Sequence, residues 1–389
     1  MNRFLVICLV FLASCAQPDT ALTPQASQLV PMKVRSVSLT AEQKTYLTRL
    51  KSASTMQPGG SREAYNLYGL SKSGRLNDIS RHIKLELTAV LAALRVTGDA
   101  ALLETTYSVM QNLRGTLSDS NRDGFQNWGY YNPGSSLHGK DTTTLEEIMA
   151  HAIVAQAAYA LKLNGGLKPK YAEAARFWTD YLENNFVAKW RKRSGRSSPP
   201  YLQKGLMHPY ADSIRLSHYL WRLTGKTVWL GERDRQVAVL KKELLYTSGH
   251  YSWGHFINSL RRSDPVFPLQ HVNYSGESVT SFADLGFEDV LGEPMMDRFA
   301  NTVTWMIDGQ SPGIMKGANG ATGMYYSALL QKNVQARPMD YPRGTAYSIR
   351  NRGYGLLARW DETGEIERAC KNADNKTTPQ PLVCVLVAR

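Results

Sequence analysis

A pair of helical segments joined by a short glycine turn recurs along the chain and limits the folds that it can adopt. Apolar residues at helical spacing run through 79–96, and a second helical segment follows at 100–113 after Thr97-Gly98-Asp99. The same unit recurs at 145–163 with 171–190 around Gly165, and at 206–223 with 228–245 around Gly225. A helix pair that returns about every 60 to 70 residues is typical of a helical repeat array.

Two less regular units are indicated by Gly292 and by Gly364. The connections between units are long and rich in glycine, aromatic or polar residues; they lie at 115–141, 191–205, 249–276, 309–321 and 333–344. Short turns therefore collect at one end of the array and long loops at the other. The pattern predicts an all-α fold, an (α/α) toroid or incomplete barrel of about five to six helical hairpins, with a functional rim of long loops.

The chain is strongly basic. It has 46 Lys and Arg against 33 Asp and Glu, for a formal net charge of +13. Such an excess favours a polyanionic partner, which could be nucleic acid, an anionic membrane or an acidic polysaccharide. Charge alone does not choose among these partners.

The N-terminus indicates export. A short apolar run, 4–12, follows Arg3 and ends in Leu12-Ala13-Ser14-Cys15, which resembles the lipobox of bacterial lipoproteins. This resemblance implies a signal peptide at 1–14, a lipid on Cys15 and a flexible tether at 15–38 before a single domain at 39–389. An ordinary cleaved signal is the alternative. With Ala16 next, an outer-membrane anchor facing the periplasm or the cell surface is expected, which disfavours nucleic acid and favours acidic polysaccharide.

Two cysteines remain in the body of the chain after Cys8 and Cys15 are set aside. In an oxidising compartment, Cys370 and Cys384 most simply form one disulfide that closes a polar C-terminal tail. We therefore expect neither to act as a nucleophile or a metal ligand.

Six of the eight histidines fall in the long connections or at the helix starts beside them: His82, His138, His208, His250, His255 and His271. The densest connection contains His250, Tyr251, Trp253, His255, Arg261, His271, Asn273 and Tyr274. Cleavage of a uronic-acid polymer by β-elimination needs a base, an acid and donors that neutralise the sugar carboxylate. Histidine, tyrosine, asparagine and arginine supply these roles without a cofactor or a metal.

These residues and the helical hairpins resemble the (α/α)-toroid polysaccharide lyases that act on alginate and other polyuronates. The resemblance implies Tyr274 as the acid, His271 or His208 as the base, and Asn273 with Arg343 as carboxylate binders. We expect further substrate contacts from His250, Tyr251, Trp253, His255, Trp128, Tyr130 and Arg261. Each loop aromatic could equally pack its loop onto the scaffold, whereas Trp178, Trp190, Trp221, Trp229 and Trp305 lie in helical patterns and are expected in the core.

One segment partly matches a calcium-binding loop. Asp119, Asn121 and Asp123 alternate as oxygen donors before Gly124, but Tyr130 occupies the closing position where a bidentate glutamate belongs. A solvated Asx-rich turn is the expected structure, with an incomplete calcium site as the alternative.

Two rival functions keep the same fold. A glycoside hydrolase would need two carboxylates, and the candidates near the predicted rim are Asp141, Glu146, Glu147, Asp212, Glu277, Asp284 and Asp340. A non-catalytic glycan-binding lipoprotein would need the aromatic and arginine side chains but neither His271 nor Tyr274.

Overall fold

The computed structural model describes residues 67–131, 134–136, 138–140, 144–194, 205–247 and 250–253, short stretches between 281 and 299, and two dipeptides at 338–339 and 347–348. The residues outside the described part include the signal and tether with Cys15, most of the fourth and fifth predicted units, and Cys370 and Cys384.

Helices make up 72% of the described residues, which confirms the all-α prediction at this level. The α-helices are α1 (Leu67–Ser71), α2 (Lys84–Thr97), α3 (Ala100–Gly115), α4 (Thr144–Leu163), α5 (Pro169–Asp180), α6 (Ala188–Ser194), α7 (Met207–Thr224) and α8 (Thr227–Glu243). A π-helical segment, Asp78–Ile83, leads into α2, and another, Tyr181–Val187, joins α5 to α6. Strands β1 (Leu245–Thr247) and β2 (His250–Ser252) form one antiparallel pair, and β3 (Pro338–Met339) and β4 (Tyr347–Ser348) form another.

The three predicted hairpins are present, and local chemistry sets their turns. Gly98 ends α2 at φ +65° with its N–H on the carbonyl of Leu94, and the Asp99 side chain accepts from the Ala101 N–H to begin α3. Gly225 ends α7 in the same left-handed conformation. At the middle turn, a Cβ on Gly165 would lie 3.0 Å from the Ala172 Cβ, so close approach of the chain requires glycine there.

The first helices of the hairpins run parallel to one another. Lys84 near the start of α2 meets Asp212 near the start of α7, and Arg95 near the end of α2 meets Tyr219 further along α7. Between α4 and α7, Gln156 meets Arg215 and Tyr159 meets Arg222 in the same order. The glycine turns of these hairpins therefore lie at one end, and the long connections begin and end at the other, which we call the rim end.

Helices α4 and α7 form the centre of the core. Every residue of 146–161 in α4 is buried, and its alanines allow close packing of the neighbouring helices. Residues 207–220 of α7 are buried as well. Trp178 and Trp229 lie in this core as predicted, whereas Trp190 and Trp221 are partly buried against it. Within the part of the chain that the structure describes, no helix combines the length and apolar composition needed to cross a bilayer.

Two glycine substitutions test this assignment of turns and helices. Gly98→Ala should lower the unfolding free energy by about 1–2 kcal/mol, because an L side chain is disfavoured at φ +65°. Gly231→Ala, on the open surface of α8, should raise it by about 0.5–1 kcal/mol, because alanine favours a helix interior. Urea denaturation of both variants measures the difference, and an unchanged Gly98→Ala chain would contradict the left-handed turn.

Candidate functional site

A polar stripe runs along α7 and faces the centre of the helical array. His208, Asp212, Arg215 and Tyr219 follow one another at intervals of three and four residues, the spacing of one helix face, and all are buried. His208 lies in the first turn of α7, at the rim end. The other three extend the stripe into the interior, where charged groups need partners.

Asp212 is bound by helix α2 and by the segment that follows the connection at 249–276. The Lys84 ammonium lies 2.8 Å from Asp212 Oδ2, with both side chains buried. The Ser281 hydroxyl donates to Asp212 Oδ1 at 2.7 Å, and Arg215 lies 3.6 Å from the same oxygen. Asp212 therefore joins α2, α7 and the returning chain.

Asp284 is the point where all these elements meet. Its carboxylate accepts hydrogen bonds from Arg215 Nε at 3.1 Å, Gln156 Nε2 at 2.6 Å and the Tyr219 hydroxyl at 2.8 Å. Arg95 Nη1 lies 3.1 Å away as an ion pair. Three hydrogen bonds and one further ion pair surround this carboxylate, so its buried charge is compensated by the two arginines.

Glu288 extends the network by one helical turn. Arg95 Nη2 lies 2.7 Å from Glu288 Oε1, and His218 Nε2 lies 3.2 Å from Oε2. Arg233 faces the other ring nitrogen of His218 and has only donors, so in the neutral ring Nδ1 accepts and Nε2 donates to Glu288. Burial raises the pKa of Glu288, but Arg95 and then His218 outweigh it and lower this pKa to about 2.

The network is a structural lock, and it corrects the predicted set of hydrolase carboxylates. Asp212 and Asp284 are buried in ion pairs away from the rim surface, and Glu147 is buried against Lys189 at 2.9 Å and the Trp190 indole at 2.6 Å. Glu146 is buried too. A carboxylate paired in this way is not available to a sugar. Asp141, Glu277 and Asp340 lie outside the described residues.

Trp128 is a core residue, which corrects its assignment to substrate stacking. Its ring is fully buried, its Nε1 donates to the carbonyl of Leu113, and it lies 5.3 Å from the buried His151 ring. His151 in turn stacks on Phe186 at 3.9 Å and bonds the Glu147 carbonyl through Nδ1 at 2.7 Å. The loop containing Trp128 packs this indole inward because a large apolar ring with a satisfied N–H is stabilised by burial.

Tyr251 and Trp253 are also buried, which corrects the expectation that these loop rings are exposed to a substrate. Both rings pack against Phe299, at 4.9 Å and 6.2 Å, and the Tyr251 hydroxyl accepts from Arg298 at 3.3 Å. The physical reason is the β1–β2 hairpin, which turns this stretch back onto the scaffold. The backbone of His250 pairs with Thr247 in that hairpin.

Two of the remaining predicted site residues, His208 and Tyr130, lie in the described part of the chain. His208 is buried in the first turn of α7, and Tyr130 is partly exposed with its N–H on the Lys140 carbonyl. Those outside the described residues are His255, Arg261, His271, Asn273, Tyr274 and Arg343.

The partial calcium motif is an Asx turn. Asp119 accepts from the backbone N–H groups of Asp123 and Gly124 at 3.0 and 2.9 Å, and Asp123 pairs with Arg193 at 2.6 Å. The carboxylates are thus used by the turn itself. Among the residues that the structure describes, no cluster of three or more His, Cys, Asp or Glu side chains could hold a metal ion.

Lys84, Gln156 and Arg215 were missed by sequence reasoning, although a signal was present. Lys84, Thr88 and Arg95 share one face of α2 with Leu91, as a polar stripe on a mostly apolar helix. Such a stripe indicates partners on neighbouring helices.

Comparisons with protein-family models, with curated proteins and with solved structures find no match for this chain.

Removing one charge from the centre of the network should be costly. Asp284→Asn leaves Arg95 and Arg215 buried without their shared counter-ion, so we expect a loss of about 3–5 kcal/mol in unfolding free energy. The matched control is Asp234→Asn, which removes an exposed ion pair with Arg233 and should change stability little. Chemical denaturation compares the two, and equal effects would contradict a locking role for Asp284.

The buried His151 should make stability depend on pH. Burial, followed by the nearby Lys189, lowers its pKa to about 3 from 6.5, so the unfolded chain binds a proton that the folded chain excludes between these values. Stability is therefore lost as pH falls from 6.5 towards 3. From pH 7 to pH 5 this residue should account for about 2 kcal/mol of loss, a contribution that His151→Phe removes. Denaturation of both chains at both pH values tests this, and identical pH dependence would count against it.

Proposed function

We propose that the protein is a polysaccharide lyase that cleaves a uronic-acid-containing polysaccharide, such as alginate, by β-elimination. The catalytic residues are Tyr274, with His271 or His208. The scaffold is an (α/α) toroid whose hairpins place their long connections at one rim. The lipobox-like N-terminus supports an outer-membrane lipoprotein exposed to the periplasm or the cell surface.

The observation that carries the proposal is the way both ends of the histidine-rich connection are attached near His208. Near its start, Trp253 packs against Phe282, and five residues after its end the Ser281 hydroxyl donates to Asp212. Asp212 lies one helical turn from His208 on α7. Tyr274 precedes Ser281 by seven residues, so the chain keeps it within about 25 Å of this point.

The chemistry suits the residues of this connection. Tyr274 protonates the leaving glycosidic oxygen, a histidine removes the proton beside the carboxylate, and Asn273 with Arg343 neutralises that carboxylate. The excess of Lys and Arg attracts the acidic chain. A hydrolase is less favoured, because the described carboxylates Glu147, Asp212 and Asp284 are engaged in buried ion pairs.

Tyr274→Phe tests the mechanism. Loss of the general acid should lower turnover by about 10²–10⁴-fold while leaving the thermal midpoint nearly unchanged. The assay follows the ultraviolet absorbance of the unsaturated elimination product on a panel of polyuronates. The matched control is Tyr107→Phe on the outer helix α3, whose ring packs on Tyr171, and it should keep full turnover.

Two outcomes would oppose the lyase, and a third would oppose the role of Tyr274. Reducing ends formed without an ultraviolet-absorbing product would favour the hydrolase. Binding of the polysaccharide without turnover would favour the glycan-binding module. Near-normal turnover of Tyr274→Phe would remove this tyrosine from the mechanism.

A further inference from the structure

A second group of polar and aromatic side chains lies at the rim end, where the loop after α3 crosses the chain that leads into α2. Arg75, Tyr131 and His138 are all exposed, with 43% of the Tyr131 surface accessible. The Arg75 guanidinium carbon lies 3.9 Å above the centre of the Tyr131 ring. The His138 ring is 5.1 Å from the same ring, at an angle of 58°.

Backbone hydrogen bonds hold this group in place. The N–H of Leu76 donates to the Gly129 carbonyl at 2.9 Å, and the N–H of Tyr131 donates to Asn77 Oδ1 at 2.8 Å. The loop is thus attached to the chain that leads into α2. Tyr130 exchanges hydrogen bonds with Gly139 and Lys140, which brings His138 beside Tyr131.

Arg75 has no carboxylate partner among the residues that the structure describes. This contrasts with Arg95 and Arg215, whose charges are matched inside the core. The guanidinium lies over the Tyr131 ring, and its N–H groups form no hydrogen bond with the residues that the structure describes, so they can bind a ligand. A guanidinium edge binds a carboxylate through two parallel hydrogen bonds, and an exposed tyrosine ring packs against the apolar face of a sugar.

We infer that Arg75, Tyr131 and His138 form a binding subsite for a carboxylated sugar residue of the polysaccharide. Arg75 binds the carboxylate, Tyr131 supports the sugar ring, and His138 borders the ring as a hydrogen-bonding group. The identity of the ligand rests on the proposed function. None of its residues is among the proposed acid and base, so we expect the subsite to contribute to affinity and to KM and not to the chemical step.

The test compares binding of two matched ligands by the full chain. Alginate and pectate oligosaccharides are titrated calorimetrically beside the same oligosaccharides with their carboxyl groups reduced. Arg75→Gln should weaken binding of an acidic oligosaccharide by about 10- to 100-fold, the range for a hydrogen bond to a charged group, and leave binding of its reduced form unchanged. Tyr131→Ala should weaken binding of both forms, because stacking does not depend on the carboxylate.

The matched control is Arg176→Gln, an exposed arginine on α5 that also lacks a carboxylate partner among the described residues. It removes the same charge away from this group, so it should change affinity little. Equal losses from Arg75→Gln and Arg176→Gln would overturn the subsite, as would failure of the wild-type chain to bind either acidic oligosaccharide. The elimination assay is read separately: binding that depends on Arg75 without an unsaturated product supports the subsite and rejects the lyase, and turnover with an unchanged KM in Arg75→Gln does the reverse.

Discussion

The described structure depends on the pairing of buried charges at Asp284. Three hairpins contribute to this carboxylate, with Arg95 from α2, Gln156 from α4 and Arg215 from α7. An unpaired charge in this interior would be strongly destabilising, so the segment containing Asp284 can occupy its place only when all three helices are in register. The network thus links the packing of distant parts of the chain. Its six charged members are balanced, with Lys84, Arg95 and Arg215 against Asp212, Asp284 and Glu288.

The buried ion pairs belong to the scaffold and are separate from the surface that could bind a substrate. The interior carboxylates are committed to arginine and lysine, and the rings of Trp128, Tyr251 and Trp253 are committed to the core. Among the described residues, the rim end contains the buried His208 at the start of α7, the exposed Arg75 and Tyr131, and the residues that flank the undescribed part of the histidine-rich connection. Loops held by a rigid helical scaffold are a common way to place functional groups.

The same separation explains which site predictions were wrong. Sequence analysis placed Trp128, Tyr251 and Trp253 in loops and named them as substrate contacts, with packing of each loop aromatic onto the scaffold as an equal alternative. Each of these loops folds back, since burial of a large ring stabilises the folded chain. Likewise, Asp212 and Asp284 were treated as rim carboxylates because they lie near predicted connections, but helix α7 and the 281–288 segment turn them inward. A one-dimensional pattern shows proximity to a loop and not the direction of a side chain.

The helical hairpins, their glycine turns and the core positions of Trp178 and Trp229 could be predicted from the sequence, because these features depend on periodicity and on backbone preferences within a few neighbouring residues. The parallel arrangement of α2, α4 and α7 around paired charges and the contact of Arg75 with Tyr131 could not, because they depend on contacts between distant parts of the chain. Lys84 and Asp212 are 128 residues apart, as are Gln156 and Asp284. Whether such a charge is buried in an ion pair or exposed on the surface depends on which distant residue packs against it, and the local sequence does not show which residue that is.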